Sequence, residues 1–420
     1  MNADAQSPFS VPAYRRLFTA HSTALIGSGI STIALALLAI NIAPTQASAV
    51  LGVALAIKMV AYVAIAPFAG QVSTRIRPKT LLVTLDLIRA GVVLSMPFIE
   101  AVWQIYLAIA LLSAAAALFT PTYQALLPGV VTHEGAYLRA LSWAQVAGSV
   151  EQIASPALAA LLLLALTFND LFILNALTFI FSAVLIGLTA LAHAGTTGAQ
   201  APPWWGISAY LRTPRLRAVA IAYVGVAGAS AMVIVNTAVF VQQHLGASAS
   251  IMSLTLMASG VGTALGAMAV PRLPYSPRTL LVGGNLLMAS ALAVGWMGVD
   301  WPILMAMWLC VGMGLGLVQT PVGSVIRSSC HERHRAAFFA ANFALSHAGW
   351  LLAYLLAGYL GAAHNWPLTF ALIASLPLGA ALACAAIYPQ PDETALDHSH
   401  DGVVHRHVFY IDETHTSWPR

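Results

Sequence analysis

Four ionisable residues, Lys58, Asp86, Glu151 and His347, stand in stretches that are otherwise mostly apolar. A charge left facing hydrocarbon costs roughly 3 kcal/mol or more, so such groups turn toward protein or a water-filled space. There they pair with one another or exchange protons. Glu151 is the first candidate for proton exchange, because a carboxyl in low dielectric holds its proton more tightly and can alternate between neutral and charged forms. Gln124, Gln145, Asn236, Gln319, Asn342 and Trp350 are candidates to line a cavity. A second chemistry closes the chain, where Asp397-His-Ser-His-Asp401, His405-Arg-His407 and Asp412-Glu-Thr-His415 hold five of the thirteen histidines. His-x-His pairs beside carboxylates suit Ni²⁺, Co²⁺, Zn²⁺ or Cu²⁺. The candidate ligands are His398, His400, His405, His407 and His415, on a flexible polar tail.

The elements that must position these groups follow from composition. With 59% hydrophobic and 8% charged residues, the chain departs from soluble domains, in which about a quarter of residues are charged. It is built for a bilayer. The net charge of +4 comes from cations clustered between apolar runs, which reads as an orientation signal and not as a nucleic-acid patch. Cys310, Cys330 and Cys384 form no CxxC pair and imply no disulfide framework. No nucleophile with a base, nucleotide loop or carboxylate pair points to an enzyme, and no cofactor is expected.

At about 20 apolar residues per crossing, six spans fit residues 17–192 and six more fit 218–388. A leader at 1–16 precedes them, a connector at 193–217 separates them, and the tail is 389–420. The fold class is thus all-α and polytopic. Threaded with the N-terminus inside, the loops of one face hold Arg15, Arg16, Arg75, Arg77, Lys79, Arg139, Arg212, Arg272, Arg327 and Arg335, while the opposite loops hold Glu100, Asp170 and Asp300. The asymmetry puts both termini in the cytoplasm. Pro78-Lys-Thr-Leu-Leu-Val-x-x-Asp-Leu-Ile-Arg-Ala90 recurs as Pro277-Arg-Thr-Leu-Leu-Val-x-x-Asn-Leu-Leu-Met-Ala289, displaced by 199 residues (277 − 78). Thr120-Pro121 likewise recurs as Thr320-Pro321. The chain is two copies of one membrane unit. Aligning Arg139-Ala140 with Arg335-Ala336 makes Glu151 and His347 equivalent positions.

Twelve spans in two parallel repeats, with Gly70, Arg75 and Lys79 in the loop between spans two and three, resemble the major facilitator superfamily over about residues 14 to 388. The family's loop pattern is Gly-x-x-x-Asp-Arg-x-Gly-Arg-Lys/Arg; Thr74 stands at its aspartate, and Arg77 and Pro78 at the next two positions. The resemblance implies two six-helix bundles that rock about a shared cavity. It implies a gating role for the loop, spans five and eleven beside the cavity, and Lys58 brought toward His347. Without the loop aspartate, Asp86 is left to pair with Arg89 or Arg75. Phe119-Thr-Pro-Thr-Tyr-Gln-Ala-Leu-Leu-Pro128 and Asn175-Ala-Leu-Thr-Phe-Ile-Phe-Ser182 are similar to bacterial drug and siderophore exporters, and the histidine-rich tail is similar to that of nickel-resistance permeases. The expected function is a proton-coupled inner-membrane exporter of a divalent transition metal. The alternatives are a multidrug or siderophore exporter of the same fold and a non-transporting membrane metal sensor. The expected partners are the substrate and the lipid bilayer, and the expected state is a monomer.

Overall fold

An apolar run in hydrocarbon has no water to satisfy its backbone, and the helix is the local way to do so. The computed structural model accordingly consists of helices through the apolar sequence; it describes residues 7–65, 76–131, 134–190, 203–330, 335–390, 392, 395–400, 403–411 and 418. The first half forms α1 (Pro12–Ile42), α2 (Ala47–Ile65), α3 (Pro78–Ser95), α4 (Val102–Val130), α5 (Glu134–Leu162) and α6 (Phe168–Gly187). The connector holds a short helix, α7 (Pro203–Arg212). Then come α8 (Pro214–His244), α9 (Ala249–Ala269), α10 (Pro277–Val294), α11 (Trp301–Gln319), α12 (Val322–Ser328), α13 (Arg335–Ala362) and α14 (Trp366–Ile387).

Among the described residues, eleven helices have the length and apolar composition to cross a membrane. The fifth expected span, α5, is not one of them. Its 29 residues make it about 44 Å long at 1.5 Å per residue, ample for a hydrocarbon core of about 30 Å. Gln145, Glu151 and Gln152 lower its mean hydropathy.

The repeat carries through to element boundaries. Helices α3 and α10 are each 18 residues long and start 199 residues apart (277 − 78), both with proline in the first turn. Proline suits that place because its missing N–H would have no intrahelical partner there. Each helix runs into a three-residue 3₁₀ turn, Met96–Phe98 and Gly295–Met297, and the next helix starts at Val102 and at Trp301. The copies diverge at the Thr-Pro pair: α4 runs on through Thr120-Pro121, whereas Thr320-Pro321 separates α11 from α12. Helix α8 loosens after Ala231 into π-helical turns at Met232–Asn236 and Phe240–His244.

The chain divides into two units, Met1–Gly198 with Val235–Met257, and Ala199–Ile234 with Ala258–Arg420. In the first, α1 packs on α2, α5 and α6, α3 on α4 and α6, and α2 on α4. In the second, the part of α8 up to Ala231 packs on α13 and α14, and α10 on α11 and α14. First helix on fifth and sixth, and third on fourth and sixth, is the neighbour pattern common to both copies.

Beyond α14 the chain forms an antiparallel hairpin, β1 (Ala395–His400) and β2 (Val403–Val408), in which His398 lies opposite His405. This is ordered backbone where the sequence suggests only a flexible tail. The signal was present: Asp401-Gly402 stands between the strands, and Asp-Gly is among the pairs favoured in two-residue hairpin loops. Ahead of the hairpin, Asp392 pairs with the buried Arg215 of α8 at 2.6 Å and accepts a hydrogen bond from the Tyr388 hydroxyl at 3.2 Å. Burial, and the Asp392 carboxylate beside it, push the Tyr388 phenol well above its ordinary range, so it stays a donor.

Candidate functional site

Asp86 and Arg89 are three residues apart on α3, a spacing that puts both on one helix face. Asp86 is fully buried and pairs with Arg89, itself buried. The guanidinium is also held between Phe119 of α4 and Phe179 of α6, 4.2 and 4.5 Å from the ring centroids. Aromatic faces on both sides stabilise the cation and limit its movement. Of the two partners open to Asp86 in the sequence, Arg89 is the one taken. Gly70 and Arg75 lie outside the described residues, and Lys79 sits half-buried in the first turn of α3.

Arg89 borders a cavity of about 130 Å³ lined by residues of α1, α2, α3, α4 and α6. Ser31, Lys58, Tyr62, Ser113 and Asn175 share its wall with Arg89. The Asn175 amide donates to the Ser31 hydroxyl at 2.7 Å, tying α6 to α1. The Lys58 ammonium lies 5.8 Å from the centroid of the Tyr62 ring. The fully charged side chains lining the cavity, Lys58 and Arg89, are both cations.

Glu151 is half-buried on α5. Its carboxyl occupies space beside Gly29 of α1, where an added Cβ would run into the Glu151 Oε1 and the Ser155 hydroxyl. Ser155 donates to the Ile26 carbonyl at 3.1 Å, a second tie between α5 and α1. The Lys58 charge is near enough to act on the Glu151 carboxyl, yet among the described residues the ion pairs are Asp86–Arg89 and Arg215–Asp392.

The second unit carries the same frame with different chemistry. At the 199-residue displacement, Asn285 stands for Asp86 and Met288 for Arg89. The Asn285 amide donates to the Leu281 carbonyl at 2.9 Å, while its Oδ1, pressed against Gly225, has no partner among the described residues. His347 stacks on Phe343 at 3.7 Å between ring centroids and meets Trp350 edge-on at 5.3 Å. Its Nδ1 lies 2.8 Å from the Phe343 carbonyl and donates to it. Asn342 accepts from the Tyr210 hydroxyl at 2.8 Å. Trp350 keeps its indole N–H buried without a partner among the described residues. Lys58 and His347 belong to different units.

Of the remaining candidates, Asn236 is buried at the end of the first π-turn of α8, and Gln319 closes α11 half-buried. Gln124 lies on α4 and Gln145 on α5, with side chains outside the described part. Among the described residues, no three His, Cys, Asp or Glu side chains converge on a metal-sized point. In the hairpin the backbone register brings the positions of His398, His400, His405 and His407 to one face; His415 lies outside the described residues. The sequence reading missed Arg89 as the centre of the site, and with it Phe119, Phe179 and Asn175. The signal lay in the repeat, where Asp86 and Arg89 change together to Asn285 and Met288.

Residues 219–409 match the family model of the Major Facilitator Superfamily. Among curated proteins none matches the chain. Solved structures are similar over nearly its whole length. A bacterial homologue of the human lysosomal transporter Spinster, inward-facing and occupied, is 14% identical with a TM-score of 0.72, covering 91% of this chain and 97% of that one. The nucleoside transporter NupG is 12% identical at a TM-score of 0.70, covering 90% and 99%. A POT family transporter in complex with a thioalcohol-conjugated peptide is 12% identical at 0.69, covering 89% and 95%. Identities this low speak for the fold alone: the chain has the fold of these transporters, and its residues 219–409 are similar to the Major Facilitator Superfamily model.

Proposed function

We propose that the chain is a proton-coupled secondary exporter of a divalent transition metal of the nickel or cobalt kind. It sits in a bacterial inner membrane with both termini in the cytoplasm and works by alternating access. The observation that carries the substrate is the hairpin register, with four histidine positions on one face and His398 opposite His405. Directly opposed residues of an antiparallel pair have Cβ atoms roughly 5 Å apart, and imidazole is a ligand these ions favour. A tethered ligand cluster at the cytoplasmic mouth raises the local metal supply. Coupling falls to Glu151, a half-buried carboxyl within the field of Lys58, because such a group can bind and release a proton as access alternates.

The test is flux of Ni²⁺, Co²⁺ and Zn²⁺ into proteoliposomes under an imposed pH gradient. Gradient-driven metal flux is expected, with Glu151→Gln abolishing the dependence on the gradient. A variant with His398, His400, His405 and His407 all changed to alanine loses flux at low metal and recovers it at high metal. No flux of any of the three metals overturns the substrate. Unchanged gradient dependence in Glu151→Gln overturns the coupling role.

One observation favours the export of an organic molecule, drug-like or siderophore-like, instead. The full charges lining the cavity of the first unit are both cations, which suits an anionic organic group better than a bare metal ion. A panel of dyes and iron chelates in the same vesicles separates the two readings.

A further inference from the structure

We infer that the cavity inside the first unit is a binding site for one small monovalent anion, of halide or monocarboxylate size. The charge and donors of its wall suit such an ion. Lys58 and Arg89 both line it. Arg89 is already neutralised by Asp86. Lys58 is a half-buried cation in an apolar helix, and among the described residues it has no ion pair. Glu151 is the acid whose field reaches it, but Glu151 does not line the cavity. Among the described residues the wall therefore carries one positive charge without an ion-pair partner, and a membrane interior favours a counterion beside such a charge.

The donors are placed for an anion as well. The Ser31 hydroxyl accepts from Asn175, so its own proton is available to the cavity. Bound Cl⁻, nitrate, formate or acetate would engage the Lys58 ammonium and the Ser31 proton together. A cavity of about 130 Å³ admits an ion of that size, since one water takes about 30 Å³ in the liquid. The second repeat lacks the cations: at the 199-residue displacement Lys58 becomes Met257 and Arg89 becomes Met288, while Ser31 stays a serine, Ser230. The site belongs to one repeat alone.

The experiment needs neither metal nor a gradient, so its failure leaves the transport reading untouched, and the converse holds. Purified protein in detergent is titrated at constant ionic strength with chloride, nitrate, formate or acetate replacing gluconate, a larger polyhydroxylated anion. The readouts are thermal unfolding and isothermal titration calorimetry. A saturable rise in the unfolding midpoint is expected with the small anions and none with gluconate. Lys58→Met, the residue of the second repeat, should weaken binding about tenfold or more, while Lys58→Arg keeps it. Should Lys58→Met fail to fold, Ser31→Ala preserves the charge and should weaken binding roughly fivefold by removing one donor. Equal responses to acetate and gluconate, or wild-type binding in Lys58→Met or in Ser31→Ala, overturn the site.

Discussion

At the scale of the residue, the Asp86–Arg89 pair is the most constrained feature of the first unit. Both partners are buried, and the guanidinium is clamped between Phe119 and Phe179. Removing one partner of a buried pair leaves an uncompensated charge and costs about 3 to 5 kcal/mol, whereas replacing both by neutral groups of similar size is often nearly neutral. The second repeat shows the neutral solution, Asn285 with Met288. Arg89→Met alone should therefore lower stability by about 3 kcal/mol or more, and Asp86→Asn with Arg89→Met should recover most of that loss. Unfolding of the purified variants as a double-mutant cycle reads the coupling directly. Additive effects would mean that the two side chains act independently.

At the scale of the element, close approach of helices decides which glycines matter. Gly29 lets α1 lie against α5 at Glu151 and Ser155, and a methyl there would run into both side chains. Gly29→Ala should cost about 1 to 3 kcal/mol through overpacking and should displace the Glu151 carboxyl. Gly91 of α3 is the matched control, because nothing lies within 4 Å of the space its Cβ would fill. Gly91→Ala should be neutral or stabilising by up to about 1 kcal/mol through helix propensity. Thermal midpoints of the two variants measured side by side check both. The tie between α8 and the segment after α14 obeys similar logic: Asp392 holds the buried Arg215. Asp392→Ala should thus destabilise the second unit, by about 1 kcal/mol because the carboxylate is partly exposed.

At the scale of the whole molecule, two copies of one frame have divided the chemistry unequally. Lys58, Asp86, Arg89 and Glu151 all lie in the first repeat, and their counterparts in the second repeat are Met257, Asn285, Met288 and His347. His347 is held by the Phe343 carbonyl and packed between Phe343 and Trp350, a setting that locks the ring orientation. Under the proposed coupling, His347→Gln should keep the pH dependence of transport while Glu151→Gln loses it. Initial rates over a series of imposed gradients check the pair. Loss of coupling in His347→Gln with retention in Glu151→Gln would reverse the assignment of the two repeats.

Properties that can be read along one dimension were settled by the sequence alone. Apolar length set the helices, since a bilayer leaves the backbone little else to do. The 199-residue displacement marked the repeat down to the start of α10 and its following turn. Asp86, Lys58 and Glu151 stood out because a charge in an apolar run is conspicuous at any resolution. Tertiary structure decided what those charges meet. Whether Asp86 takes Arg89 or Arg75, and whether Arg89 lies between two rings, depends on how α3, α4 and α6 are rotated about their own axes. Composition carries no trace of that rotation. The cavity is likewise a product of five helices, and the room for Glu151 is made by a glycine more than a hundred positions away. The hairpin is the instructive exception: its loop signal, Asp401-Gly402, is local and legible, but only the pairing of the strands set His398 opposite His405.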